Sequence, residues 1–152
     1  MKILKTLLIY FLNAYDLTTF GQTKTLSGKV VLSEPSYEKR MDSEFLLAPD
    51  AKVFSEDTVE LGTSNKHGIF EIEVPENTSK IFVAWVAYDW EVIELSDNCE
   101  QLEIVLIPAV IYDFVSLKRA NKLNEKHRKK WLPELYQQAF EQGFIRSENP
   151  CR

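Results

Sequence analysis

Two histidines, two cysteines and a surplus of carboxylates are what this 152-residue chain offers to chemistry. A catalytic zinc site needs clustered ligands with one coordination position left open. His67 and His127 stand in segments of different pattern, with no H-x-x-E or H-E-x-x-H spacing around either. His67 belongs to the turn sequence Asn65-Lys66-His67-Gly68 and reads as a solvated side chain. His127 lies in Lys126-His127-Arg128-Lys129-Lys130, which reads as the exposed basic end of a helix; the same run suits anionic lipid headgroups or an acidic protein patch. Nucleophilic catalysis needs a Ser or Cys held beside a base. The chain has no G-x-S-x-G sequence, and neither Cys99 nor Cys151 has a histidine near it in sequence. No glycine-rich stretch joins a strand to a helix, so a phosphate cradle is not expected.

Carboxylates in pairs could do acid–base work. Glu71 and Glu73, however, alternate with Phe70, Ile72 and Val74, a period that turns the glutamates to water and the apolar residues to a core. Asp42, Glu44, Asp50, Glu56 and Asp57 would frame a calcium site only if their loops converged, and no EF-hand spacing supports that. The expectation is therefore a non-enzyme without cofactor or metal. Trp85, Tyr88 and Trp90 cluster near a strand end, where aromatics either fill the core or stack on a sugar ring or partner. Tyr88 and Trp90 are the candidate ligand-binding residues, and Trp90, between Asp89 and Glu91, is the expected exposed member.

The elements that would position these residues are mostly short strands. Residues 26–32, 51–54, 59–63, 70–74, 81–88, 91–95 and 102–107 read as seven strands divided by turn residues, the pattern of an antiparallel β-sandwich. The run 81–88 lacks alternation, which suits a strand covered on both faces. Residues 33–50, broken by Pro35 and Pro49, read as a long polar loop. Past residue 110 the period changes. Leu132, Leu135, Tyr136, Ala139, Phe140 and Gly143 form one helical stripe. Pro133 suits the first helical turn and Gly143 the residue past the end. A weaker stripe, Phe114, Leu117, Ala120 and Leu123, extends the helical reading upstream. A stripe as apolar as the first must be covered, by the β body or by a partner. In the second case Leu132, Leu135, Tyr136 and Phe140 are the partner-facing residues.

Charge divides along the same boundary. Residues 24–112 carry 7 Lys/Arg against 17 Asp/Glu, and residues 113–152 carry 9 against 5. The acidic body argues against nucleic acid as a partner, because it would repel phosphate. At the N-terminus, Lys2 and Lys5 precede the apolar run Leu7-Leu8-Ile9-Tyr10-Phe11-Leu12, which is short for a membrane span. Thr19-Phe20-Gly21 then offers small residues three and one positions before Gln22, as a cleaved export signal requires. The expected organisation is a signal peptide over 1–21, a β-sandwich over 22–109 and a helical tail over 110–152, in a periplasmic or secreted protein. In an oxidising compartment Cys99 and Cys151 could form a disulfide.

Several strand sequences carry a family pattern. Gly28-Lys29-Val30 resembles an opening G-x-V strand, and Pro49-Asp50-Ala51-Lys52-Val53 a P-G-A-x-V strand with Asp50 in the glycine position. Gly62-Thr63-Ser64-Asn65-Lys66-His67-Gly68-Ile69-Phe70-Glu71-Ile72 resembles a G-T-x-T-[DN]-x-x-G-x-F-x-[IL] hairpin. An apolar strand then leads into Ala87-Tyr88, where Gly-Tyr is usual. Over residues 26–107 the chain thus resembles the carboxypeptidase regulatory-like domain, a transthyretin-like β-sandwich found in exported bacterial proteins and in extensions of TonB-dependent transporters. The resemblance implies an accessory, non-catalytic module that mediates protein–protein interaction at the periplasm or cell surface. The second expectation is an accessory module binding carbohydrate or peptide.

Overall fold

Thr23–Pro35 forms one long strand, β1, around which the first sheet is built. The computed structural model describes residues 21–35, 43–96 and 101–147. Seven further strands follow: β2 (Ser43–Leu47), β3 (Lys52–Phe54), β4 (Glu60–Thr63), β5 (Ile69–Pro75), β6 (Lys80–Ala84), β7 (Glu91–Glu94) and β8 (Gln101–Leu106), and then one helix, α1 (Leu117–Glu141). The first sheet holds β1, β2, β5 and β8; the second has the order β4-β3-β6-β7.

The length of β1 lets it serve two partners on one edge. Its residues Thr23 to Lys29 pair antiparallel with β5, and Val31 to Pro35 pair antiparallel with β2. The handover falls at Val30, whose N–H donates to the Gly68 carbonyl at 2.7 Å and whose carbonyl accepts from Ala48 N–H at 3.2 Å. Gly68 has φ +72°, and a Cβ there would lie 2.4 Å from the Val30 carbonyl oxygen. Only glycine satisfies both the left-handed backbone and that close approach. The opposite edge of β1 pairs with β8 in parallel, from Ser27↔Gln101 to Leu32↔Leu106.

The sheets face one another across a shared core. Leu26, Val30 and Leu32 of β1, Phe70, Ile72 and Val74 of β5, and Leu102, Ile104 and Leu106 of β8 pack with Val53, Ile81, Val83 and Ile93 from the second sheet. The alternation in β5 falls as expected, with Phe70, Ile72 and Val74 buried and Glu71 and Glu73 exposed. A second cluster lies on the outer face of the first sheet. There Val31, Phe45, Val105 and Ile107 meet Leu135, Tyr136, Ala139 and Ile145, with Trp131, Leu132 and Phe144 around them. The chain is mainly β, with two sheets and one C-terminal helix laid against the first.

Four expectations are corrected. There are eight strands among the described residues, not seven, because Ser43–Leu47 pairs with β1 inside the stretch read as a loop. Burial of Phe45 beneath α1 gives that short segment an apolar partner the sequence does not advertise. The first sheet is not purely antiparallel, since β1 and β8 run parallel. The apolar run at 81–88 is a strand only to Ala84; Trp85 to Tyr88 is a turn closed by Tyr88 N–H on the Trp85 carbonyl at 3.1 Å. The strand covered on both faces is β8, where Leu102 through Leu106 are all buried. Finally, α1 is continuous from Leu117, so Pro133 lies in its interior instead of its first turn.

Candidate interaction surface

The C-terminal half of α1 is locked to the first sheet by polar as well as apolar contacts. β8 has a strand on one side only, among the described residues. Its free edge is satisfied by Tyr136, whose hydroxyl accepts Val105 N–H at 3.1 Å and donates to the Glu103 carbonyl at 3.2 Å. One phenol thus replaces a missing strand at two backbone groups, protecting an edge that would otherwise invite pairing. At the far side, Gln138 Oε1 accepts Ser43 N–H at 3.0 Å, and Gln142 Nε2 donates to the Ser43 carbonyl at 3.0 Å. The helix ends as its sequence implies. Gly143, at φ +76°, donates to the Phe140 carbonyl, and Phe144 N–H reaches back to the Ala139 carbonyl at 2.8 Å. This glycine-centred reversal satisfies the last carbonyls. It also returns the chain to β8, where the buried Glu103 carboxylate accepts Arg146 and Ser147 N–H groups at 2.8 and 3.2 Å.

The tail residues proposed as partner-facing therefore divide. Leu135 and Tyr136 are buried against the sheet and cannot meet a partner, and Leu132 packs at the margin of the same cluster. Phe140 lies at the rim and is partly exposed. Cys99 and Cys151 lie outside the described residues, as does the segment 1–20.

The rim aromatics are engaged within the fold. Trp85 donates its indole N–H to the Pro49 carbonyl at 2.6 Å and meets Tyr88 edge-on at 5.4 Å. Both pack on the core. Burial, followed by the nearby Glu34 charge, raises the Tyr88 hydroxyl above its usual pKa. Trp90 is 51% exposed, but its ring is stacked on Phe54 at 5.2 Å, 7° from parallel. Its carbonyl accepts Arg128 at 3.3 Å, and the same guanidinium pairs with the buried Glu91 carboxylate. Asp89, half-buried alongside, has its carboxyl raised by burial, while Arg128 and His127 pull it back. Arg128 thus ties the middle of α1 to the start of β7. A groove of about 500 Å³ between β7 and α1 is lined by Val92, Glu94, Glu125, Lys129, Leu132 and Pro133. His67 is exposed in its turn, with its backbone N–H on Asn65 Oδ1. His127 meets Trp131 edge-on at 6.0 Å. Among the described residues no three His, Cys, Asp or Glu side chains converge to hold a metal; Asp42 lies outside them.

Before Arg128, α1 keeps Ala120, Leu123 and Asn124 half-buried, while Leu117, Lys118, Arg119, Lys122 and Lys126 are open to solvent. Leu117 is 77% exposed, and the linker ahead of it exposes Ile111 (87%) and the whole of Phe114. Phe114 has φ +61°, a left-handed backbone that costs a non-glycine residue about 1–2 kcal/mol. The linker is anchored beside the rim turn by Ala109 N–H on the Ala87 carbonyl at 2.9 Å. That bond sets Val110 near Val86, which is also exposed. The sequence signalled the basic run, but not that Ile111, Phe114 and Leu117 beside it would be exposed.

No family model, curated protein or solved structure matches the chain.

Proposed function

We propose that this chain is an exported, non-catalytic interaction module: a transthyretin-like β-sandwich of the carboxypeptidase regulatory-like kind that carries a helical arm for docking to another surface. The carrying observation is the division of α1. Its second half is fixed by Tyr136, Gln138 and Gln142, while residues 110–126 hold Ile111, Phe114 and Leu117 in water. A helix with no further use for its first turns has no reason to keep large apolar side chains there.

Two observations support the family resemblance. Asp50 and Ala87, the positions where the family carries glycine, have φ +57° and +67°. The glycine-shaped backbone is kept although the glycines are not. The hairpin residues are in keeping with the resemblance: Gly62 lies in β4, Gly68 closes the turn, and Phe70 and Ile72 enter the core. Export rests on the Lys2/Lys5 and apolar N-terminus with its Thr19-Phe20-Gly21 site.

Size-exclusion analysis of native extracts tests the docking reading. The wild-type chain runs with a larger assembly or a membrane fraction, while the variant carrying I111S, F114S and L117S runs as a free monomer no heavier than the 17.6 kDa full chain. A wild-type chain that is itself free, or purified protein that turns over a substrate, contradicts the proposal.

A further inference from the structure

Resting on the docking reading, we propose that the surface met by the arm is an anionic lipid bilayer, on which residues 110–126 lie in the interfacial plane. Residues 113–130 carry seven Lys/Arg against two acidic residues, Asp113 and Glu125. Arg128 is held by Glu91, Lys129 by Glu125, and Lys130 lies 5.0 Å from the Trp131 ring centre. Lys118, Arg119, Lys122 and Lys126 have no counter-ion among the described residues. Lys118, Lys122 and Lys126 follow one another at i, i+4, where like charges destabilise a helix.

The start of α1 breaks two further rules. Its first turn holds no acidic residue and instead carries Lys118 and Arg119 beside the positive end of the helix dipole. Ser116 stands at the cap position without a side-chain cap hydrogen bond. A sequence that repels itself along this segment is one whose cations meet anions from elsewhere.

The apolar residues decide which anionic surface. Val86, Val110, Ile111, Phe114 and Leu117 are exposed, and Phe114 and Leu117 lie within a few residues of Lys118 and Arg119 along the chain. Apolar side chains to enter the acyl boundary and cations for the headgroups are what a segment lying in a bilayer interface requires. A purely acidic protein patch would leave Phe114 and Ile111 in water. No described helix is long and apolar enough to cross a membrane, so the segment lies on the bilayer.

Co-sedimentation with vesicles tests this, using purified protein and vesicles of phosphatidylcholine alone or with phosphatidylglycerol. The N-terminus is the same in every variant, so differences report on the arm. The wild-type chain sediments with the anionic vesicles and is released in 0.5 M salt. K118E/R119E weakens binding about tenfold or more, and F114S/L117S also weakens it. Both pairs are exposed, and K118E/R119E removes repulsion at the helix start, so it melts no lower than wild type while binding worse. Equal binding to neutral vesicles, or undiminished binding by K118E/R119E, overturns the proposal. So does concentration-dependent self-association that the same variants abolish, because the occupant is then a second copy. If the wild-type chain binds no vesicle yet still enters a large assembly through the arm, the lipid assignment falls and the docking reading stands. If it does neither, both fall.

Discussion

Removing one oxygen at Tyr136 isolates what holds the arm. In Y136F the ring still fills its place between α1 and β8, so apolar burial is kept. The Val105 N–H and the Glu103 carbonyl, both on a buried strand, lose their shared partner. A buried backbone group left unpaired costs about 1–3 kcal/mol, and the carbonyl, with two lone pairs, tolerates the loss better than the N–H. The expected total is roughly 2–4 kcal/mol, which for a domain of this size lowers the melting temperature by about 6–14 °C. Urea denaturation gives the free energy, and amide exchange gives the location. Val105 should exchange faster in the variant than in wild type, while Ile81 and Val83 in the second sheet change only as global stability changes. A melting temperature within 1 °C of wild type, or unchanged exchange at Val105, refutes the claim that this hydroxyl seals the edge of β8.

Five other variants test separate parts of the account. A87G relieves a left-handed alanine and should stabilise by roughly 1 kcal/mol after the entropy cost of glycine; D50G should gain less, since Asp tolerates that backbone better. Thermal melts rank the two, and a loss of stability in A87G contradicts the backbone reading. P133A restores a helix-interior residue and should raise the melting temperature, by up to about 3 kcal/mol in stability; circular dichroism melts check it. Asp89 has its carboxyl raised, so the folded state binds its proton more tightly than the unfolded state. Its ionisation therefore works against stability as pH rises from the unfolded pKa through the folded one. D89N should stabilise the chain at neutral pH and leave it unchanged below pH 3, as paired melts at the two pH values would show. Reversing Lys118 and Arg119 to Glu should stabilise the helix by about 0.3–1 kcal/mol per site at low salt, an effect that vanishes in high salt if its origin is electrostatic.

The parts legible in the sequence are those where one physical cause acts alone. β5 was readable because one face meets the core and the other meets water, so its alternation is undiluted. The helix end at Gly143 was readable because a single left-handed residue is needed there. β2 was not, because its pairing with β1 and its cover by α1 are both long-range. The apolar run at 81–88 looked like a doubly covered strand, yet half of it is rim, with Trp85 and Tyr88 closing the core from the end. β8 holds both faces buried only because α1 returns across it, a fact local periodicity cannot carry. At the surface, the basic run was visible as composition. Where it meets the body depended on the start of β7, which only Arg128 and its tie to Trp90 and Glu91 reveal.

The claim that the arm is the working surface is tested most directly by hydrogen–deuterium exchange of the chain alone and in its native extract. Amides of residues 110–126 should gain protection in the extract while those of β3, β4 and β6 stay as they were. Protection that appears instead around Tyr88 and Trp90, with residues 110–126 unchanged, would place the working surface at the aromatic rim and contradict the account.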